Sequence, residues 1–369
     1  MGSEILLYGY GAICFSMIIF NIVYNMVLRG SEKRLGKTSQ KLNDRIHRQV
    51  ERIDRGEAVD LSYKKRLKRK LLRVKNMVAF DRALEKETAT APAESIGAYL
   101  KELEDLIEEL AMVYLKRENL QAAFFAYFVS HHKIGQYGNG QKMEEILLNF
   151  LQKSSFYCKI NALQALCSFG SPASIVYGLE LETRNKTKIH EKVVTEILLS
   201  YKGDHEQLIQ LFWKRLPVLA PRLQLAVLNY IRFQSGGWKS EMYEIMTDSR
   251  QDKELRLAAI RYFARYPDES ARDFLLTATL SKDPMEWEAA AVSATALASY
   301  TGEEVIRTLV KAMSSSNWYI RYNAAASLEA HGLEYSQLLD IIRGDDRYAR
   351  EMILYRLEEA AWDKEEKER

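Results

Sequence analysis

A pattern that returns about every 32 residues runs from residue 159 to residue 357, and it leaves few folds open to this chain. A polar or charged residue is followed three positions later by a small or β-branched apolar one, and usually by a bulky apolar one four positions after that. The triplets are Lys159/Ala162/Leu166, Glu191/Val194/Leu198, Gln224/Val227/Ile231, Arg256/Ala259/Phe263, Glu288/Ala291/Thr295, Arg321/Ala324/Leu328 and Arg350/Ile353/Leu357. Their first positions are separated by 32, 33, 32, 32, 33 and 29 residues. Offsets of three and four place each triplet along one stripe of an α-helix. One helix pair cannot bury its apolar face alone, so a fixed period of this size calls for a stack in which each unit covers its neighbour. Stacks of this kind bind other molecules more often than they catalyse reactions, and the period therefore points to a binding function.

Apolar stretches at residues 146–151, 175–179, 208–212, 242–246, 274–276, 305–310 and 338–342 supply the first helix of each pair. Polar turns separate the helices, among them Gly170-Ser171-Pro172, Gly203-Asp204, Gly236-Gly237, Pro267-Asp268, Gly302 and Gly332. A less regular earlier unit is expected with Gln121, Phe124 and Phe128 in the triplet positions, displaced by a Gly-rich insertion at residues 135–140. The small residues of the triplets allow close helix approach, and the larger ones fill the space between layers. Thr295 breaks this rule, with Leu297 as the expected compensation. The chain reads as all-α.

The segments DKELRLAA (252–259), NWYIRYNAA (317–325) and DRYAR (346–350) carry a family resemblance. They resemble HEAT repeats of the short bacterial type often called phycobilisome-lyase HEAT-like, over roughly residues 95–362. The resemblance implies a right-handed α-solenoid of about seven to eight helix pairs. It also implies Asp or Asn in the turn with Arg four positions on, the carboxylate capping the second helix and pairing with the guanidinium of its own or the next unit. That device is complete at Asp252/Arg256 and Asp346/Arg350, and Asn317/Arg321 is a close variant. Lys159, Glu191, Gln224 and Glu288 depart from it, and their units rest on period and apolar spacing.

Residues 5–28 contain no charged side chain and are rich in Ile, Leu, Met, Phe and Tyr. About 20 such residues cross a bilayer, so residues 1–30 read as a transmembrane anchor. The MGSE start is not basic and the 24–28 end is a poor cleavage site, which argues for retention over a signal peptide. Residues 29–75 hold 17 Lys and Arg against six Asp and Glu, a surplus of +11 in a chain whose total is +3. This asymmetry predicts a single-pass cell-membrane protein with its amino terminus outside and the array in the cytoplasm. Asn21 and Asn25 share a helix face, either for a helix–helix contact or at headgroup level, the second being favoured.

Residues 31–85 read as basic amphipathic juxtamembrane helices. Leu42, Ile46, Val50 and Ile53 form one stripe, and Leu67, Leu71, Val74 and Val78 form a second after Gly56. Lys64, Lys65, Arg66, Lys68, Arg69, Lys70 and Arg73 crowd the second helix as contacts for anionic lipid headgroups or as topology determinants. No nucleic-acid partner is expected, because no recognition motif accompanies the charge. Residues 86–94 (KETATAPAE) read as a linker and 363–369 as a charged tail.

No phosphate loop, nucleophile elbow or paired-Cys motif occurs, so no catalytic residue, cofactor or metal ligand is assigned. HEAT-repeat hydroxylases hold di-iron through several His–Glu dyads at equivalent repeat positions. Here His190-Glu191 and His205-Glu206 are not repeat-equivalent, and a metal-dependent or prosthetic-group enzyme is the weaker alternative. Trp287 and Trp318 are expected in the core and His131-His132 at a helix end. Trp213, Arg232, Trp238, Arg261 and Arg265 form the candidate surface for a protein partner, and an adaptor for anionic lipid or another polyanion is a further alternative.

Overall fold

The computed structural model describes residues 2–138, 140–185, 188–332 and 338–367, with backbone alone for 2–7, 12, 357 and 359–367. The described residues are helical, with no strand among them. They divide into two compact units, Met1–Lys188 and Ile189–Arg369.

The first unit contains α1 (Gly2–Asp54), α2 (Leu61–Leu71), α3 (Val74–Thr88), α4 (Ala93–Glu102), α5 (Glu104–Leu115), α6 (Asn119–His131), α7 (Gly140–Leu151), α8 (Phe156–Phe169) and α9 (Pro172–Arg184). α1 carries both the apolar segment and the first basic stripe without interruption. It packs on α3 and α4, and Leu42, Ile46 and Val50 are buried with Phe80, Ala83 and Leu84 of α3. Gly56 ends α1 in the left-handed region at φ +78°, where the Glu57 amide returns to the Arg52 carbonyl at 2.9 Å. The second basic stripe is broken at Leu72-Arg73, so Leu67 and Val74 lie on different helices.

The expected linker 86–94 holds the last residues of α3, a turn at 89–92 and the first residues of α4. Glu87 is buried there and accepts from the Asn43 amide of α1 at 2.8 Å. The Ala and Thr side chains of the turn itself are exposed or half-exposed. In α6 the expected register is also shifted, since Ala122, Phe125 and Phe128 are buried while Phe124 is half-exposed. Ile134 of the 135–140 insertion's first turn is buried, and a side chain at Gly135 would overlap the Phe169 ring.

The second unit contains α10 (Glu191–Leu199), α11 (His205–Arg215), α12 (Pro221–Gln234), α13 (Lys239–Thr247), α14 (Lys253–Arg265), α15 (Glu269–Thr279), α16 (Trp287–Ala296), α17 (Glu303–Ala312), α18 (Trp318–Ala330), α19 (Leu339–Ile342) and α20 (Arg347–Lys367). Helices α10, α12, α14, α16, α18 and α20 touch in series, as do α13, α15 and α17, and each even-numbered helix from α12 onward packs on the helix before it. Val194, Val227, Ala259, Ala291, Ala324 and Ile353 are buried at these junctions, as are Leu198, Ile231, Phe263 and Leu328. Thr295 is exposed and Leu297 fully buried, delivered by a 3₁₀ turn at the end of α16. Leu357 and Trp362 lie outside the described side chains, and α20 extends into the expected tail as far as Lys367.

Neighbouring helices of the series are also joined by side chains bonded to backbone carbonyls. Thr195 donates to Ala226 O at 3.1 Å, Asn323 to Ala291 O at 2.8 Å and Ser327 to Ala294 O at 2.7 Å. In the first unit Asn161 of α8 donates to Ala123 O of α6 at 2.9 Å. These bonds satisfy buried polar groups and fix the sliding of one helix on the next.

Candidate functional site

The expected Asp–Arg pair separates into two devices. Asp252, Asn317 and Asp346 cap α14, α18 and α20, accepting from the amides of Glu254 (2.8 Å), Tyr319 (2.9 Å) and Tyr348 (3.0 Å). The arginines turn away from these caps. Arg321 donates to Ser315 O at 2.6 Å and Arg350 to Gly344 O at 3.3 Å, each closing the preceding turn. Arg256 pairs with Glu286, in the next repeat, at 3.0 Å. Gln224 performs the same turn closure on Leu219 O at 2.9 Å, which its departure from the family pattern concealed. Lys159 forms a buried ion pair with Glu182 at 3.3 Å.

The five residues of the expected partner surface form two groups in the second unit, Trp213 with Trp238 and Arg232 with Arg261 and Arg265, linked through the fully buried Tyr262. The Trp213 and Trp238 rings lie 5.4 Å apart, and the Trp238 indole N–H donates to Glu206 at 3.3 Å. The Trp238 amide bonds the Tyr262 hydroxyl at 3.0 Å, and Tyr262 packs on Tyr266 at 5.0 Å. Arg265 lies over Tyr266 and over Phe233, whose ring is 41% exposed, and Arg232 covers the same Phe233 ring at 4.7 Å. Burial, then Arg261 and Arg265, hold the Arg232 guanidinium below its ordinary range. Two guanidiniums, those of Arg232 and Arg265, thus lie over the Phe233 ring, with Arg261 an electrostatic neighbour of Arg232.

A second aromatic region escaped the sequence reading. Trp318 is 50% exposed where a core position was expected, because it is the first residue of α18 and projects beyond the packed stripe. It stacks on Tyr322 at 4.9 Å, while Trp287 stacks on Tyr319 at 5.3 Å. A cleft of about 800 Å³ opens beside Trp287 and Asn317.

The seven basic residues expected at lipid headgroups point in different directions. On α2, Lys64 pairs with Glu102 at 2.6 Å and Lys68 with Glu109. Arg66 and Lys70 instead face Arg45 of α1. Lys65, Arg69 and Arg73 are exposed. Side chains in the apolar segment of α1, from Tyr8 to Leu28, are exposed or half-exposed throughout the described positions. Asn21 and Asn25 satisfy themselves by donating to Met17 O at 3.0 Å and Asn21 O at 2.9 Å.

The two His–Glu dyads are engaged separately. His190 caps α10 and lies 3.2 Å from Glu191, whereas His205 bonds Tyr230 at 2.7 Å. Among the described residues no group of three or more His, Cys, Asp or Glu is arranged to hold a metal. His132 is more than a helix-end cation, for it is buried against Asp81 at 2.9 Å. Burial pushes the Cys158 and Cys167 thiols up to about 11 and about 12, which keeps both protonated near neutral pH.

Compared with known proteins, the chain matches no family model and no curated protein. Among solved structures it is similar to human deoxyhypusine hydroxylase in complex with glycerol, at 14% identity and a TM-score of 0.27, over 80% of this chain and 95% of that one.

Proposed function

We propose that the chain is a single-pass membrane protein, amino terminus outside, whose cytoplasmic units are HEAT-like helix pairs wound as a right-handed α-solenoid. In this reading it scaffolds or regulates a protein partner at the cell membrane without catalysing a reaction. The observation that carries the membrane assignment is α1. Its apolar segment is long enough to span a bilayer and, among the described residues, is nowhere buried in the fold, unlike the core helix of a soluble protein. The same helix then runs into the packed residues Leu42, Ile46 and Val50, so anchor and fold are one rigid element. Basic residues nearest the apolar segment, Arg29, Lys33, Arg34 and Lys37, are the ones placed to meet an anionic leaflet.

The series of packed helices in the second unit supports the solenoid, and the Trp213–Phe233–Arg265 region supports an acidic protein partner. Cross-linking in native membranes tests this surface. A specific adduct captured by the natural chain is expected to vanish in Arg232→Glu/Arg261→Glu/Arg265→Glu, with helical content unchanged. An adduct that persists in the triple variant places the partner elsewhere.

A further inference from the structure

Between α1 and α2 lies a cavity of about 380 Å³ with an unusual charge balance. Leu42, Tyr63 and Leu67 are buried beneath it, and the Tyr63 hydroxyl is anchored to Tyr99 at 2.7 Å. Arg45 and Arg48 line it from α1, and Arg66 and Lys70 line it from α2. The carboxylate in its lining, Asp60, is already committed to capping α2, accepting from the Ser62 amide at 2.7 Å and the Ser62 hydroxyl at 2.8 Å. It lies 3.8 Å from Arg66.

The fold treats the two faces of α2 differently. Lys64 and Lys68 receive Glu102 and Glu109, whereas four cations converge on the other face against one occupied carboxylate. Arg66 also donates to Ser62 Oγ at 2.8 Å and Arg48 to Asp44 O at 3.1 Å, which leaves each guanidinium further donors. Like charges lining one cavity repel one another, and a multiply charged anion relieves the repulsion. In keeping with this, burial and then Arg45, Lys41 and Arg66 hold the Lys70 ammonium below its ordinary range.

We propose that the Arg45–Arg48–Arg66–Lys70 pocket binds a compact phosphorylated anion. Guanidiniums from two helices offer the forked donors that phosphate oxygens accept. The cavity's size fits a small phosphorylated molecule or headgroup and not a nucleic-acid duplex. A soluble source is favoured by geometry that rests on the membrane reading of α1. The helix rises about 25 Å from Leu28 to Arg45, whereas the interfacial layer of each leaflet is only about 5–7 Å deep.

Calorimetric titration of the full-length chain in phosphatidylcholine nanodiscs, with pyrophosphate as probe, tests the site. Saturable binding is expected, weakened about tenfold or more in Arg45→Ala/Arg66→Ala and little changed in Lys64→Ala/Lys68→Ala. Circular dichroism checks that each variant is folded, and Lys70→Met serves as a milder variant expected to weaken binding as well. Nanodiscs containing phosphatidylinositol 4-phosphate separate the sources: competition with pyrophosphate assigns the pocket to a headgroup, and its absence to a soluble ligand. No saturable binding, or equal binding by the natural chain and folded Arg45→Ala/Arg66→Ala, overturns the proposal. Neither result bears on whether α1 crosses the bilayer, since the probe is soluble and the pocket lies wholly within the first unit.

Discussion

Lys159 shows how much one side chain carries in a stack of this kind. Its ammonium and the Glu182 carboxylate are 1% and 2% exposed, 3.3 Å apart, in the first unit. Removing one partner leaves the other charge buried, so Lys159→Ala is expected to cost about 3–5 kcal/mol by urea denaturation. Lys159→Met/Glu182→Met is expected to recover most of that loss, because replacing the whole pair by apolar groups avoids the desolvation cost. If the double variant is no more stable than the single one, the pair is not what the site requires. His47 provides a pH-dependent counterpart at the junction of α1 and α3. Its bond to Glu87, 2.8 Å long, is the main cause raising its pKa above the ordinary 6.5, and burial opposes this. A raised folded-state pKa gives stability that is fully present below pH 6.5 and is lost as pH rises through the folded value. The advantage of the natural chain over His47→Ala in urea midpoint should therefore shrink between pH 6 and pH 8, and an advantage that grows would contradict the assignment.

At the scale of elements, the repeat is held by two independent contacts where one was expected. Asp252 caps its own helix and Arg256 reaches into the next repeat, so the two should behave as strangers in a double-mutant cycle. Asp252→Ala is expected to cost about 1 kcal/mol. Its coupling to Arg256→Ala should lie within about 0.3 kcal/mol of zero, whereas Arg256 and Glu286 should couple by about 0.5–1 kcal/mol. A strong Asp252–Arg256 coupling would restore the direct pair. The stripes at Ala162, Val194, Val227, Ala259 and Ala324 were legible in the sequence because offsets of three and four are local facts. The continuity of α1 was not, since the apolar and basic segments differ sharply in composition and nothing local records that one helix carries both. Trp318 was misplaced because a helix's first residue lies outside the stripe that the triplet defines. The meeting of Arg45 with Arg66 and Lys70 joins two helices, and no spacing within one helix records it.

For the whole molecule, α1 is one helix in two settings: residues 8–28 carry exposed apolar side chains, which the proposed reading places in lipid, and Leu42, Ile46 and Val50 are buried in protein. In the proposed reading the same helix ties the first unit directly to the bilayer, which suits a scaffold better than a freely diffusing adaptor. The proposed scaffolding at the membrane depends on that tether. Removal of residues 1–28 followed by membrane fractionation is the direct measurement. The full-length chain should stay with membranes through high salt and alkaline carbonate, and the shortened chain should move to the soluble fraction with its helical circular dichroism intact. A shortened chain that remains on membranes after the salt wash, or that unfolds on release, would contradict the anchor-plus-solenoid account.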